Sequence, residues 1–313
     1  MDRLRFDGRV AVVTGAGGNP SLGRAHAMLL AERGAKVVVN DIGQLPAALG
    51  YPGVASAEAV VEEIRALGGE AVADTHSVAG DDGAAAIVRT ALDAFGRIDI
   101  LINNAGVCRV VAFDEMTPED FRQSIEVNLM GTVATCRAAW PHMKAQGYGR
   151  IVNISSGSMA GFAWQSAYAA AKAGVFSFTR ALAAEGAEAG ILANSVIPGA
   201  LTRMVLAAQA ETSPWIAHAR DHMPPEAVAP AVALLAHESC PVTGECLESM
   251  GGRVSRLYLA RTPGFEAPGM TLETMAERWP EAMAGADPGL FRHDSADPRA
   301  WHIKPYVPVE GGA

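Results

Sequence analysis

Tyr168 and Lys172 stand four residues apart in the run Tyr-Ala-Ala-Ala-Lys. On a helix that spacing puts both side chains on one face. A phenol with an ordinary pKa near 10 is a poor base at neutral pH. A nearby ammonium favours the phenolate, so the pair can take up or return the proton of a hydroxyl. A second kind of chemistry is written near the start of the chain. Thr14-Gly15-Ala16-Gly17-Gly18 follows an apolar run, and Leu22-Gly23-Arg24 opens a helical one. The free amides of a helix N-terminus suit a pyrophosphate, and glycines let the backbone approach it. Such a turn alone is also an ordinary tight turn. Asp41 adds to it, 26 residues after Gly15 at the end of the next strand pattern. A carboxylate there accepts bonds from ribose hydroxyls and repels a 2′-phosphate, which calls for NAD in preference to NADP.

The elements that must carry these groups are legible as an alternation. Continuous Val/Ile runs predict strands at residues 9–14, 36–40, 70–73, 98–102, 150–155, 191–197 and 245–250. Between them, amphipathic patterns predict helices at 22–33, 55–67, 84–95, around 120–143 and at 167–185. Apolar runs without alternation indicate strands covered on both faces. The expected fold is therefore α/β, a doubly wound parallel sheet of Rossmann type. Residues 1–260 form the expected cofactor-binding and catalytic domain. Residues 261–313 change texture, rich in Pro and Gly with isolated Phe265, Trp279, Phe291, Trp301 and Tyr306. They read as a C-terminal appendage on the core with one short helix near 271–284.

Composition narrows the classes. The 313 residues are 50% hydrophobic with a net charge of −9 and no basic stripe, which disfavours nucleic acid as a partner. No apolar run reaches the roughly 20 residues of a membrane span, and no leader pattern is seen, so a cytoplasmic enzyme is expected. Cys108, Cys136, Cys240 and Cys246 are too sparse for a disulfide framework. Cys240 and Cys246 are poorly spaced for a metal, and none is expected.

Thr14-Gly15, Asn103-Asn104-Ala105-Gly106, Asn128, Ser155-Ser156, Tyr168 with Lys172, and Pro198-Gly199 occur in that order across residues 7–252. This ordered set resembles the short-chain dehydrogenase/reductase family. Within it, the segments LGRAHA, VVEEIRALGGEAVAD, RAAWPHMKAQGYGRI, ARTPG and MTLETMAERW are similar to the (3R)-hydroxyacyl-CoA dehydrogenase unit of peroxisomal multifunctional enzymes type 2. That unit is also called a 17β-hydroxysteroid dehydrogenase. The chain reads as a free-standing relative. The resemblance implies an NAD-dependent oxidoreductase interconverting a (3R)-hydroxyacyl-CoA and a 3-ketoacyl-CoA. A hydroxysteroid or other bulky hydrophobic alcohol is the alternative substrate. A non-catalytic nucleotide-binding protein fits less well with an intact Ser, Tyr, Lys and Asn set. The resemblance also implies a homodimer or homotetramer, with residues 261–313 packing on the core or on a neighbouring subunit.

Carried onto this sequence, the resemblance makes Tyr168 the proton acceptor. Lys172 is its partner and holds the nicotinamide ribose, and Asn128 is the amide linking Lys172 through water to solvent. A structural amide that kinks its helix is the other reading of Asn128. Ser156, 12 residues before Tyr168, is preferred as the hydroxyl that orients substrate; Ser155, 13 before, has the family's commoner spacing. The cofactor would meet Gly15, Ser21, Leu22, Gly23, Asp41, Ser77, Asn104, Ala105, Gly106, Pro198, Gly199 and Thr202, besides Tyr168 and Lys172. There are departures. The loop at Asn19-Pro20-Ser21 is two residues longer than usual, His76 replaces the aspartate expected at the adenine edge, and Thr202 falls one place early. On the substrate side, residues 201–223 are expected to cover the site. Met204, Val205, Leu206, Trp215 and Ile216 would join Met159, Phe162 and Trp164 in an apolar pocket. Arg203, Arg220, Arg253 and Arg256 are candidates for the phosphates of CoA.

Overall fold

Each predicted apolar run becomes a strand because both its faces are covered. In β1 (Val10–Thr14), Ala11 and Val13 belong to one hydrophobic cluster while Val10 and Val12 belong to the other. The computed structural model describes residues 3–43, 55–208, 212–261, 264–284 and 289–290. Its sheet continues with β2 (Lys36–Asn40), β3 (Glu70–Asp74), β4 (Ile100–Asn103), β5 (Gly149–Ile154), β6 (Ile191–Gly199), β7 (Cys246–Met250) and β8 (Arg253–Leu257). The order is β3-β2-β1-β4-β5-β6-β7-β8, and β1 to β7 run parallel. This is the doubly wound Rossmann-type sheet. The connecting helices are α1 (Leu22–Glu32), α2 (Ala57–Ala66), α3 (Asp81–Phe95), α4 (Pro118–Ile125), α5 (Gly131–Gln146), α6 (Ser166–Gly186), α7 (Arg203–Ala208), α8 (Pro214–His222) and α9 (Ala229–Ala236). Leu30, Ile64 and Leu235 from α1, α2 and α9 cover one face, and Ile87, Met143 and Leu182 from α3, α5 and α6 cover the other. The chain winds outward through β2 and β3, then returns to place β4 on the other side of β1. The crevice between the ends of β1 and β4 is where ligands of such sheets sit.

Two expectations are corrected. The helix expected at 120–143 is broken into α4 and α5 by a π-helical turn, Glu126–Met130. Beyond the seventh strand, β8 pairs antiparallel with β7. The connection is Gly251-Gly252, with φ of +52° and +81°, the signs a two-residue hairpin turn needs.

A second unit begins at Tyr258. It holds β9 (Ala260–Arg261), α10 (Leu272–Glu277), α11 (Trp279–Met283) and β10 (Gly289–Leu290), with β9 and β10 antiparallel. Two short helices replace the single one expected. Thr271 caps the first, Pro280 opens the second, and Arg278 between them lies 4.3 Å from the Phe265 ring centroid. Phe291, Trp301 and Tyr306 lie outside the described residues. No helix among the described residues is long and apolar enough to cross a membrane.

Candidate active site

The turns after β1 and β4 are joined through Thr14. Its hydroxyl accepts the amides of Asn104 (3.1 Å) and Ala105 (3.0 Å). The Asn104 amide group donates back to the carbonyls of Thr14 and Gly15. Gly15 has φ +64°, and a Cβ on it would stand 2.7 Å from the Ala105 Cα, so only glycine fits. Ser21 caps α1, its hydroxyl accepting the Arg24 amide at 3.2 Å. These turns border a cleft of about 210 Å³, with Gly15, Gly18, Ser21 and Leu22 on one wall and Asn104, Ala105 and Gly106 on another.

Asp41, just past β2, also faces the cleft, and its carboxylate is held in place. Oδ2 accepts the Gly17 amide and Oδ1 the Gly43 amide, both at 2.9 Å. After β3, Asp74, His76 and Ser77 face different surroundings. Asp74 is buried and committed to Asn40, Thr90 and His76. Burial pushes its pKa up, but these hydrogen bonds outweigh it and hold the carboxyl below the usual range. Ser77 is on the cleft wall, and His76 is not.

The opposite wall carries Tyr168 and Lys172, one turn apart on α6. Both are buried, and the Lys172 ammonium lies 5.6 Å from the Tyr168 ring centroid. Lys172 Nζ donates to the Ile154 carbonyl at 2.7 Å. Burial pulls its pKa down to about 8, leaving it mostly charged at neutral pH. The two serines after β5 differ in what they touch. Ser155 is buried, and its hydroxyl donates to the Lys172 carbonyl at 2.9 Å. Ser156 is half-buried and caps the short turn Gly157–Ala160, accepting the Ser158 amide and donating to the Ser158 hydroxyl. Asn128 sits in the π-turn, fully buried. Its Oδ1 accepts the Val107 amide, and its Nδ2 donates to the carbonyls of Val107 and Ser124. A Cβ on Gly106 would stand 2.6 Å from Asn128 Oδ1 and 3.6 Å from Lys172 Nζ, so the loop after β4 closes directly over both.

Of the other expected cofactor contacts, Thr202 lies on the wall, whereas Gly23, Pro198 and Gly199 do not. Gly23 lets α1 approach the turn: a Cβ there would meet the Gly15 carbonyl at 2.4 Å. Gly199 in β6 gives space to the Met250 side chain. Among the four arginines, Arg203 alone reaches the wall, while Arg256 is paired with Glu245 at 2.6 Å. Of the expected pocket residues, Met204 is on the wall, Met159 packs on Phe176 and Ile197, and Ile216 is fully buried. Phe162 and Trp164 are exposed, 56% and 64%, with the Phe162 ring near Gly157, next to Ser156. Of residues 201–223, α7 and α8 are described and 209–211 are not. Sequence reasoning missed Gln123 and Val127, wall residues one turn apart across α4 and the π-turn, and the Ile154 carbonyl. The first pair carries an i, i+4 spacing that could have signalled it; a main-chain acceptor carries no residue signal.

The chain matches the short chain dehydrogenase family over residues 9–213. It is a short-chain dehydrogenase. This dehydrogenase is 43% identical over 284 residues to the peroxisomal multifunctional enzyme type 2 of Drosophila melanogaster, covering 88% of the chain and 45% of the relative. The chain thus spans less than half the length of that multifunctional relative. It superposes on a short chain dehydrogenase from Mycobacterium avium with TM-score 0.74 and 37% identity, covering 88% of this chain and 96% of the other. A short chain dehydrogenase from Mycobacterium paratuberculosis, solved bound to NAD, matches with TM-score 0.69 and 31% identity, over 79% of this chain and 98% of that one. The family makes this dehydrogenase an oxidoreductase acting on alcohol and ketone groups.

Proposed function

We propose that this dehydrogenase uses NAD to interconvert a (3R)-hydroxyacyl-CoA and the corresponding 3-ketoacyl-CoA. The observation that carries the reading is the cleft itself. A phenol and a buried ammonium on one face of α6 look across it to a glycine-rich turn, a helix N-terminus and a fixed aspartate. The residues fit a dinucleotide. Gly15 and Gly18 put the glycine-rich turn on the wall, Ser21 and Leu22 bring the first turn of α1 to it, and Asp41 presents a carboxylate suited to ribose hydroxyls. Nicotinamide, when bound, supplies the hydride acceptor or donor. Tyr168 takes the substrate hydroxyl proton during oxidation or returns it during reduction. Lys172 supplies positive charge beside the phenol, and its bond to the Ile154 carbonyl fixes it there. Ser156 orients the substrate oxygen from the end of β5, while Ser155 secures the helix backbone at Lys172. Asn128 is a positioning residue that holds the Val107 loop over the ammonium.

The substrate reading draws on the sequence similarity to the multifunctional enzymes and on the exposed Phe162 ring beside Gly157, an apolar surface next to Ser156. The proposal includes a homodimer or homotetramer, checked by light scattering. It also includes a reducing compartment such as the cytoplasm, consistent with four free cysteines. The test is NADH absorbance with purified protein and NAD or NADP, against a (3R)-hydroxyacyl-CoA and a 17β-hydroxysteroid in parallel. Turnover of the CoA ester with NAD is expected. Turnover of the steroid alone would overturn the substrate, and preference for NADP would overturn the cofactor.

A further inference from the structure

Gly18 raises a question that its backbone does not answer. Its φ is outside the left-handed region in which Gly15 lies, so conformation does not demand glycine there. Space does. A Cβ at Gly18 would stand 2.8 Å from Arg203 Nε and 3.0 Å from both Cζ and Nη2. The guanidinium of Arg203 therefore lies flat against the glycine-rich turn, in the volume a side chain would fill. The backbone reinforces the contact, because the Arg203 amide donates to the Pro20 carbonyl at 3.2 Å. The first residue of α7, on the segment following β6, is thus fastened to the turn between β1 and α1.

The charges on the cleft wall are few. Among the described residues of the wall, Asp41 is the one acid, and Lys172 and Arg203 are the cations. Lys172 is committed to the Ile154 carbonyl on the Tyr168 side. Arg203 is the cation at the glycine-rich turn, where the first amides of α1 also gather. A pyrophosphate carries two negative charges, and in a protein of net charge −9 the amides of the turn alone leave them without a full counter-charge. A planar guanidinium can span two phosphate oxygens with parallel N–H bonds, which an ammonium cannot.

We propose that Arg203 binds the pyrophosphate of the dinucleotide, seated in the space left by Gly18, and does not serve the CoA phosphates. This rests on the reading that the cleft takes NAD. A substrate-side segment then contributes directly to cofactor affinity, and occupancy of the pyrophosphate position ties Thr202, Arg203 and Met204 to the turn.

The test is calorimetric titration of the full chain with ADP-ribose, adenosine and free CoA, for wild type, Arg203→Met, Arg203→Lys, Gly18→Ala and the Gly18→Ala/Arg203→Met double variant. Arg203→Met should weaken ADP-ribose about 10–100-fold. Adenosine, which lacks the pyrophosphate, should change less than about 2-fold. Arg203→Lys should recover part of the loss. The double variant should be no weaker than Arg203→Met alone, because Gly18→Ala acts by evicting the same guanidinium. Unchanged ADP-ribose binding, an equal loss for adenosine, or a loss confined to CoA would overturn the proposal. If Arg203→Met does not fold, undiminished binding by Arg203→Lys together with Gly18→Ala overturns it equally. A wild-type protein that binds neither ADP-ribose nor NADH would instead refute the cofactor reading itself.

Discussion

Lys172 offers the sharpest physical test, since burial moves its pKa from 10.5 to about 8. The sign follows from proton counts. Between these two values the unfolded chain holds the proton on Lys172 more often than the folded one, so stability rises with pH. Below pH 8 the folded state carries the whole cost of a buried ammonium, about 3 kcal/mol. Above 10.5 the cost vanishes. Lys172→Met removes the titrating group and, with it, the bond to the Ile154 carbonyl, worth about 1 kcal/mol. The stability difference between wild type and Lys172→Met should therefore move in favour of wild type by about 2.5 kcal/mol from pH 7 to pH 10. Urea unfolding of the two proteins at intervals across that range measures it. Both should carry Tyr168→Phe, so that Lys172 is the group compared. Parallel curves, differing by less than about 0.5 kcal/mol over the range, would show that burial leaves Lys172 unperturbed and refute the reasoning.

Other perturbations separate roles that lie close in space. Asp41→Ala should weaken NADH about 10-fold and leave NADPH equal or tighter, as read by fluorescence titration; equal losses would contradict the ribose role. Ser156→Ala should lower kcat by ~10² and, through the lost cap of the Gly157–Ala160 turn, cost about 1 kcal/mol of stability. Ser155→Ala should cost about 1 kcal/mol of stability through the lost bond to the Lys172 carbonyl. A ~10² loss of kcat in Ser155→Ala and not in Ser156→Ala would exchange the two serines. Asn128→Ala orphans the amide and carbonyl of Val107, and should cost about 3 kcal/mol in denaturant unfolding.

The sheet was readable because seven strands carry apolar side chains on both faces, a pattern that survives without knowledge of partners. The eighth was not. Arg253–Leu257 reads RVSRL, and its arginines belong to an edge strand, where charge guards an open ladder. The Gly251-Gly252 pair was its visible trace. The π-turn at Glu126–Met130 left a single trace in residue type, Asn128 read as an amide that kinks its helix; the turn itself is a shift in main-chain bonding that no residue spells out. The cleft was legible at Gly15, Asp41, Tyr168 and Lys172, whose chemistry and spacing are unusual together. It was not legible where the main chain acts, as at the Ile154 carbonyl. Nor was it legible where two distant segments share one volume, as Gly18 and Arg203 do.

The central claim is that Tyr168 does the proton chemistry in a cleft that binds the cofactor independently of it. Tyr168→Phe, assayed by NADH absorbance with a 3-ketoacyl-CoA and titrated with NADH, tests this most directly. Turnover should fall by ~10²–10⁴ while the NADH Kd changes by less than about 3-fold. Turnover at the wild-type rate would contradict the account.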